Sequence, residues 1–243
     1  VCNGESTWLP LWRELAGKLR VVTFGRNASC DIRPRDATSS MQWNRGGFEQ
    51  HFEVDIGDEW LAMHLPLAGD HNLMNALAAI AVCASLGIAS DSIQKGLKSV
   101  RPVAGRLFPC RSASGARVID DTYNANPESV AAAIAVLGDI DAKRILVLGD
   151  LAELGGDLSR AHADLGTLAA ESGIDKLYTL GPLSAAAAEA FGDNGFAFDD
   201  IDALNSALLE HLDDSCAVLV KGSRAARMER VVEALTGSED IGC

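Results

Sequence analysis

Short apolar blocks alternate with longer, more polar stretches from about residue 108 onward, and this alternation restricts the fold more than any other feature. Strands are predicted at 117–120, 144–148, 176–180, 196–198 and 217–220. Helices are predicted at 127–138, 159–172, 183–191, 201–211 and 223–235. Strands that alternate with helices of about 10–15 residues form βαβ units around a parallel sheet. The second half is therefore expected to be an α/β domain with helices on both faces of the sheet.

The first part of the chain is less regular and richer in strands. Alternating polar and apolar residues predict strands at 48–56 and 59–67. A helix follows at 69–87, with Asp70 as its predicted N-cap and Gly87 as the glycine just beyond its end. The hydrophobic period then stops, and we place a domain boundary there. The predicted domains are 1–104 and 105–243.

The composition argues against several classes of function. A formal charge of −13 argues against a nucleic-acid partner, because binding to a phosphate backbone requires a basic surface. The six cysteines are scattered without a CxxC pair, so we expect neither a zinc site nor a disulfide framework. No apolar run approaches the ~18 residues of a membrane span, and no leader peptide is recognised, so we expect a cytoplasmic protein.

Polar segments follow three of the predicted strands, at 120–127, 149–156 and 221–224. Because the carboxyl ends of parallel strands share one edge of a sheet, these segments should meet there, where α/β proteins bind ligands. The last segment contains two cations, Lys221 and Arg224, and a predicted helix begins within it. Positive charge next to free helix N–H groups suits a carboxylate or a phosphate, although a capped helix with a surface salt bridge is the alternative.

The segment at 120–127 reads Asp-Asp-Thr-Tyr-Asn-Ala-Asn-Pro. Its two carboxylates suit ribose hydroxyls or a hydrated metal ion, and its carboxamides can donate and accept hydrogen bonds at once. In the next segment, Asp150 and Glu153 could hold amines or waters, or could be ordinary loop residues. His162, on the following helix, is expected to be a structural histidine, with no role assigned beyond lining the same cleft.

Two further positions suit a nucleotide. Asn72 and Asn75 lie three residues apart near the start of the 69–87 helix, so they share a face on which two carboxamides can recognise an adenine edge. Arg106 lies at the predicted domain boundary, where a guanidinium can match a phosphate in charge and geometry. A helix cap and a structural salt bridge are the alternatives. No GxxxxGK[ST] phosphate-binding loop occurs in the sequence.

Five segments, in order and at suitable spacing, resemble the Mur ligases of peptidoglycan synthesis. They are DHNLMNALAA at 70–79, GRL at 105–107, DDTYNANPES at 120–129, GDLAELG at 149–155 and VKGSR at 220–224. The resemblance covers nearly the whole chain and is weakest over 1–68. It implies that the chain comprises the second half of the family's central ATP-binding domain, followed by a Rossmann-like C-terminal α/β domain with a mostly parallel sheet.

The resemblance also implies an activity. Within the family, the motifs match the member that joins D-alanyl-D-alanine to a UDP-N-acetylmuramoyl tripeptide. ATP, with Mg²⁺, activates the tripeptide carboxylate as an acyl phosphate, and the dipeptide amine then displaces phosphate. Catalysis of this kind depends on positioning and charge stabilisation. The ligands of Mg²⁺ are expected outside this sequence, and the enzyme is expected to be a monomer.

Site residues are carried over from the family position by position. Asn72 and Asn75 match the helix on the adenine side of ATP. Arg106 matches the arginine that reaches the ATP phosphates, and it is the candidate catalytic residue. Asp121 matches the aspartate that binds the ribose hydroxyls. The segments that face the dipeptide supply Tyr123, Asn124, Asn126, Lys221, Ser223 and Arg224.

Two other interpretations stay open. The sequence contains no counterpart of the family's first domain, its P-loop, its magnesium-binding acids or its modified lysine. The chain is therefore expected to be a fragment that is inactive alone, or a non-catalytic remnant of a ligase. A receiver-like phospho-accepting module would also collect aspartates and a lysine at this edge of the sheet. Those residues would be Asp120, Asp121, Asp150 and Lys221.

We expect the purified 243-residue chain to fold but not to turn over ATP, because it lacks the loop that holds the phosphates in P-loop enzymes. The measurement is phosphate release at saturating ATP, with a complete Mur ligase as the positive control. Steady release that depends on D-alanyl-D-alanine would contradict this expectation.

Overall fold

The computed structural model describes residues 1–35, 40–44, 46–57, 59–152 and 157–237. The chain divides into two compact units, Val1–Arg101 and Pro102–Cys243. Each unit has its own hydrophobic cluster. Among the described residues, no helix is both long enough and apolar enough to cross a membrane.

The first unit combines short strands with three helices. The strands are β1 (Cys2–Asn3), β2 (Thr23–Phe24), β3 (Arg33–Pro34), β4 (Ser40–Asn44), β5 (Gly47–Asp55) and β6 (Trp60–Leu65). The helices are α1 (Leu9–Ala16), α2 (Asp70–Ser85) and α3 (Ser90–Lys98). The predicted strands at 48–56 and 59–67 correspond to β5 and β6, which pair antiparallel. β3 and β4, which pair with β5, were not predicted.

Strand β5 separates the core of the first unit from solvent. Phe52 and Val54 point inward, and they pack with Leu73, Leu77 and Ile80 from α2. Burying each such side chain contributes about 1.5–3 kcal/mol. The alternate positions along β5 face outward, as the two-residue period of a strand requires. Polar side chains therefore form a row on the outer face of this sheet.

The ends of α2 are partly as predicted. The prediction of Asp70 as N-cap is wrong, because Gly69 occupies that position with φ 87°. Asp70 is instead the first helical residue, and it pairs with Arg26 at 2.8 Å. An acidic group in the first turn also interacts favourably with the helix dipole. Gly87 follows the helix end with φ 73°, a conformation that glycine adopts without strain, so this prediction is confirmed.

The second unit is a six-stranded sheet with helices on both faces. The strands are β7 (Phe108–Arg111), β8 (Arg117–Asp121), β9 (Lys143–Gly149), β10 (Lys176–Leu180), β11 (Gly195–Phe198) and β12 (Cys216–Lys221). The helices are α4 (Pro127–Gly138), α5 (Leu158–Glu171), α6 (Ala185–Phe191), α7 (Ile201–Leu209) and α8 (Glu229–Thr236). All five predicted strands are confirmed. β7, an antiparallel edge strand, was not predicted.

The strand order is β11-β10-β9-β12-β8-β7, so the last strand in sequence lies between the first two parallel ones. Helices α4, α5 and α6 cover one face, and α7 and α8 cover the other. Lys221 pairs in register with Asp121 on β8 and with Leu148 on β9. The carboxyl ends of β8, β9 and β12 are therefore neighbours at one edge, as the sequence predicted.

The prediction of a helix over 223–235 is wrong at its start. A three-residue 3₁₀ turn (Arg224–Ala226) follows β12, and α8 begins only at Glu229. Arg227 lies between them in the left-handed region, with φ 53°. Met228, which follows this turn, is completely buried. It packs over two glycines, which leave room for it because they have no side chain. A Cβ at Gly149 or Gly222 would lie 2.6 Å from Met228.

Gly166 on α5 allows this helix to approach α6 closely. A Cβ there would lie 2.1 Å from the carbonyl oxygen of Ala187, a backbone atom that cannot move aside. We expect Gly166→Ala to lower the free energy of unfolding by about 1–3 kcal/mol, as overpacking does. Gly138→Ala is the matched control, because its Cβ would find Ser172 O at 3.4 Å. Urea unfolding curves that coincide for the two variants would contradict this account.

Candidate functional site

Two adjacent carboxylates, Asp120 and Asp121, end strand β8 and organise the site in the second unit. The side chain of Asp120 is buried and accepts hydrogen bonds from the hydroxyl of Thr122 at 2.6 Å and from its N–H at 3.1 Å. It also accepts the N–H of Gly105 at 2.9 Å. The oxygens of Asp120 thus accept hydrogen bonds from inside the protein.

Asp121 forms a buried ion pair. One carboxylate oxygen accepts the ammonium of Lys221 at 2.6 Å, and the other accepts the N–H of Leu107 at 3.1 Å. The side chains of Asp121 and Lys221 are only 12% and 3% exposed. Lys221 also donates to the carbonyl oxygen of Asn124 at 3.0 Å. The pair therefore ties β12 to β8 and to the loop that follows β8.

The two carboxylates also fix the turn at 105–107. Gly105, with φ 76°, donates to Asp120, and Leu107 donates to Asp121. The carbonyl oxygen of Gly105 accepts the N–H of Tyr123 at 3.0 Å. A Cβ at Gly105 would lie 3.1 Å from that nitrogen, so the close approach requires glycine. Backbone bonds on both sides thus hold the residue between them.

That residue is Arg106, and its side chain is exposed. Its guanidinium lies over the ring of Tyr123, with 4.3 Å between Cζ and the ring centroid. Stacking on an aromatic ring restricts the guanidinium while leaving its edge available for hydrogen bonds. The structure brings Arg106, Asp121 and Lys221 to the same edge of the sheet.

The loop after β8 is rigid at both ends. Asn126 is the N-cap of α4: its side chain accepts the N–H of Ser129 at 2.8 Å, and the hydroxyl of Ser129 accepts the N–H of Asn126 at 3.0 Å. This reciprocal capping box stabilises the helix start. The side-chain oxygen of Asn124 accepts the N–H of Ala125 at 2.9 Å. Both asparagines are exposed, so their amide N–H groups face outward from a fixed loop.

Asp150 joins three segments at the same edge. Its carboxylate accepts the N–H groups of Leu183 at 3.1 Å and Ser184 at 2.7 Å, in the loop before α6. Its carbonyl oxygen accepts the N–H of Ser223 at 3.1 Å, after β12. Asp150 therefore links these segments. Glu153, which the sequence analysis gave with Asp150 as a possible ligand of amines or waters, lies outside the described residues.

Ser223 and Arg224 differ in environment. Ser223 is buried, and its hydroxyl oxygen has no hydrogen-bond partner among the described residues. An unsatisfied buried hydroxyl is costly, so its position at this edge is a functional signal. The side chain of Arg224 is 69% exposed and lies 3.9 Å from Glu229, at the limit of an ion pair. Arg224 is thus the more accessible cation of the segment that contains Lys221.

His162 is a structural residue. It is fully buried, its Nε2 atom accepts the N–H of Leu151 at 3.0 Å, and its Nδ1 atom lies 2.7 Å from the carbonyl oxygen of Leu158. The Nδ1–H therefore donates to that carbonyl and fixes the tautomer. Both ring nitrogens are used to hold the loop after β9 against α5, as expected for an ordinary core histidine.

Asn72 and Asn75 belong to the first unit, on the first two turns of α2. The amide of Asn72 donates to the carbonyl oxygen of Ala68 at 2.8 Å, and its oxygen lies 3.5 Å from the amide nitrogen of Asn75. The predicted shared face is confirmed by this contact. Asn75 is exposed, and Asn72 is half-buried.

One feature of the second unit was not found from the sequence. A cavity of 320 Å³ opens at the carboxyl ends of β9 and β10. Charged groups on its wall include Asp150, Asp199, Asp200 and Arg230. Asp199 and Asp200 were not among the candidate site residues predicted from the sequence. The signal that could have found them is their position directly after β11, at the same edge as the other segments.

The chain matches two family models and several known proteins. Residues 1–83 match the Mur ligase middle domain, and residues 105–224 match the Mur ligase glutamate ligase domain. The UDP-N-acetylmuramoyl-tripeptide–D-alanyl-D-alanine ligase of Escherichia coli is 37% identical over 239 residues, which are 97% of this chain and 51% of that protein. The ligase of the same name from Bacillus subtilis is 35% identical, over 89% of this chain and 47% of its own length.

Solved structures agree with these matches. A crystal structure of MurF from Acinetobacter baumannii has a TM-score of 0.82 at 30% identity, over 95% of this chain and 49% of its own. MurF ligase from Thermotoga maritima, in complex with ADP, has a TM-score of 0.75 at 26% identity, over 93% of this chain and 50% of its own. The chain thus spans about half the length of the relatives it matches.

Removing the cation from the buried ion pair tests its role in stability. We expect Lys221→Met to lower the free energy of unfolding by about 3–5 kcal/mol, because the carboxylate of Asp121 stays buried without its charge partner. Adding Asp121→Asn should recover much of this loss. The measurement is urea unfolding of the single and double variants.

The matched control is Arg160→Met, which removes an exposed pair with Asp164 whose side chains are 75% and 62% exposed. Exposed pairs contribute about 0–1 kcal/mol. A Lys221→Met effect as small as that of the control would show that the buried pair does not hold this edge together.

Proposed function

Because this chain belongs to the Mur ligase family, we propose that it forms the nucleotide- and amine-binding part of an ATP-dependent ligase that joins D-alanyl-D-alanine to a UDP-N-acetylmuramoyl tripeptide. The observation that carries the proposal is the turn at 105–107, which two buried carboxylates fix so that Arg106 is presented on its surface. Such preorganisation is the protein's main contribution when chemistry depends on charge stabilisation.

In this proposal Arg106 binds the phosphates of ATP. Its guanidinium is always charged and presents several N–H donors in a plane, which matches phosphate oxygens. Tyr123 supports the guanidinium from one side, so little side-chain entropy is lost when a phosphate binds. As the carboxylate oxygen bonds to the γ-phosphorus and the bond to ADP breaks, negative charge moves from the carboxylate to the leaving ADP, and a fixed cation at the phosphates stabilises it without reorganisation.

Asp121 is proposed to accept hydrogen bonds from the ribose hydroxyls. Carboxylate oxygens are hydrogen-bond acceptors, and this carboxylate accepts from Lys221 and from the N–H of Leu107. In this proposal the same side chain positions the turn and binds the hydroxyls.

The dipeptide is proposed to bind against the segments after β8 and β12. Its carboxylate needs a cation, and Lys221 is already paired with Asp121, so Arg224 is the more available partner. The unsatisfied hydroxyl of Ser223 can donate to the same carboxylate. The exposed amides of Asn124 and Asn126 can bind the peptide group, and Tyr123 supplies an apolar surface beside them. Among the residues predicted to face the dipeptide, this proposal gives the carboxylate to Arg224 and Ser223.

In the first unit, the proposed ligand of Asn72 and Asn75 is adenine. Their carboxamides share one face of α2, and each can present a donor and an acceptor to a base edge. ADP in the related Thermotoga maritima structure supports an adenine nucleotide as ligand. Mg²⁺ supplies charge neutralisation between the phosphates when it is bound, and its ligands are proposed to lie in the half of the relatives that this chain does not span.

The family assignment sets aside the receiver-like alternative, which would require an accessible aspartate as phosphate acceptor. Asp120 and Asp150 instead accept internal hydrogen bonds, and Asp121 is paired with Lys221. Activity of a complete ligase that contains this chain distinguishes the proposed function from a non-catalytic remnant. Turnover that depends on both ATP and D-alanyl-D-alanine supports the proposed function, and its absence supports a remnant.

Replacing Arg106 tests the proposed site directly. In a complete ligase that contains this chain, we expect Arg106→Ala to raise the barrier by about 2.7–4 kcal/mol, as loss of a preorganised charge contact does. Arg111→Ala is the matched control, because Arg111 is exposed on β7 and donates to the carbonyl oxygen of Gly115. The measurement is kcat/KM for each variant. Equal values would remove Arg106 from the site.

A further inference from the structure

A cluster of Glu49, His51 and His64 lies on the outer face of the sheet in the first unit. None of these three residues has a role in the site described above. Glu49 and His51 are two residues apart on β5, so they share a face. His64 lies on β6, directly opposite His51 in the antiparallel register. In the part of the chain that the structure describes, this is the one group of three such side chains close enough to share a metal ion.

The distances in the cluster fit a metal coordination shell. One potential ligand atom from each residue lies within 4.8 Å of the others. Glu49 carboxylate oxygens lie 3.6 Å from Nε2 of His51 and 3.5 Å from Nε2 of His64. Ligands bound at about 2.0–2.1 Å in a tetrahedron lie roughly 3.4 Å apart, so a small adjustment would suffice.

The imidazole rings are placed for joint binding. The two rings stack with centroids 4.7 Å apart and an interplanar angle of 6°. Nε2 of His64 is buried and makes no hydrogen bond among the described residues. Because parallel rings direct their lone pairs alongside each other, binding requires the rings to tilt toward a shared point. The side chain of His51 is 52% exposed, which leaves it room for this rotation.

The carboxylate is oriented by a second residue. The side chain of Asn44 donates a hydrogen bond to the carboxylate of Glu49. A carboxylate fixed by a second residue is typical of metal sites, in which outer partners orient the ligands. The arrangement lies on an exposed face, so an ion can enter from solvent.

We propose that Glu49, His51 and His64 form a binding site for a divalent transition-metal ion such as Zn²⁺, with the fourth position open to water. Two imidazoles and one carboxylate are a ligand set that zinc accepts. Because the ligands come from both β5 and β6, a bound ion holds these two strands in register.

The test is titration of the 243-residue chain with ZnCl₂, followed by long-range proton–nitrogen NMR of the imidazoles and by calorimetry. We expect one ion per chain, with nitrogen shifts at His51 and His64. His64→Asn and Glu49→Gln should each weaken binding by tenfold or more. Glu53→Gln and His211→Asn are the matched controls, because Glu53 lies on the same face of β5 and His211 is an exposed histidine of the second unit.

The outcomes separate this site from binding at the free cysteines, five of which the structure describes. Loss of affinity in the two cluster variants, with both controls unchanged, supports the proposal. Zinc uptake that is equally strong in all four variants overturns it, as do imidazole shifts confined to other histidines. An absence of uptake at micromolar Zn²⁺ also overturns it.

Discussion

The buried ion pair of Asp121 and Lys221 is the interaction on which the candidate site depends. It joins the first and the last strands of the parallel sheet, and it spans 100 residues of sequence. Neither charge could stay buried alone, because desolvation of an unpaired ion costs several kcal/mol. The second oxygen of Asp121 then holds the turn that presents Arg106. Stability and site geometry thus rest on the same carboxylate.

Much of the second unit could be predicted from the sequence, because its local signals agree with its fold. Buried parallel strands are short apolar blocks, and the amphipathic helices between them have clear periods. The carboxyl edge of the sheet follows from topology alone, so the meeting of the three polar segments was also predictable. The antiparallel edge strand β7 was missed because its four residues carry a proline and no regular alternation.

The features that the sequence did not predict depend on contacts that a short stretch of sequence does not reveal. Arg227 breaks the predicted last helix where Met228 is buried over Gly149, the last residue of β9, and Gly222, the residue after β12. The internal roles of Asp120 and Asp150 depend on N–H groups from distant turns, which no residue spacing reveals. The histidine cluster was missed for a similar reason. Its members are brought together by the register of a hairpin, and a search for cysteine pairs does not detect it.

The strand order has a consequence for how the second unit is made. β12, which lies at the centre of the sheet, is the last strand to leave the ribosome. Until then β8 and β9 have no partner between them, and the carboxylate of Asp121 has no cation. Before β12 is added, the facing edges of β8 and β9 are therefore unpaired, and unpaired strand edges are prone to aggregation. Folding of this unit is expected to finish only after β12 has been synthesised.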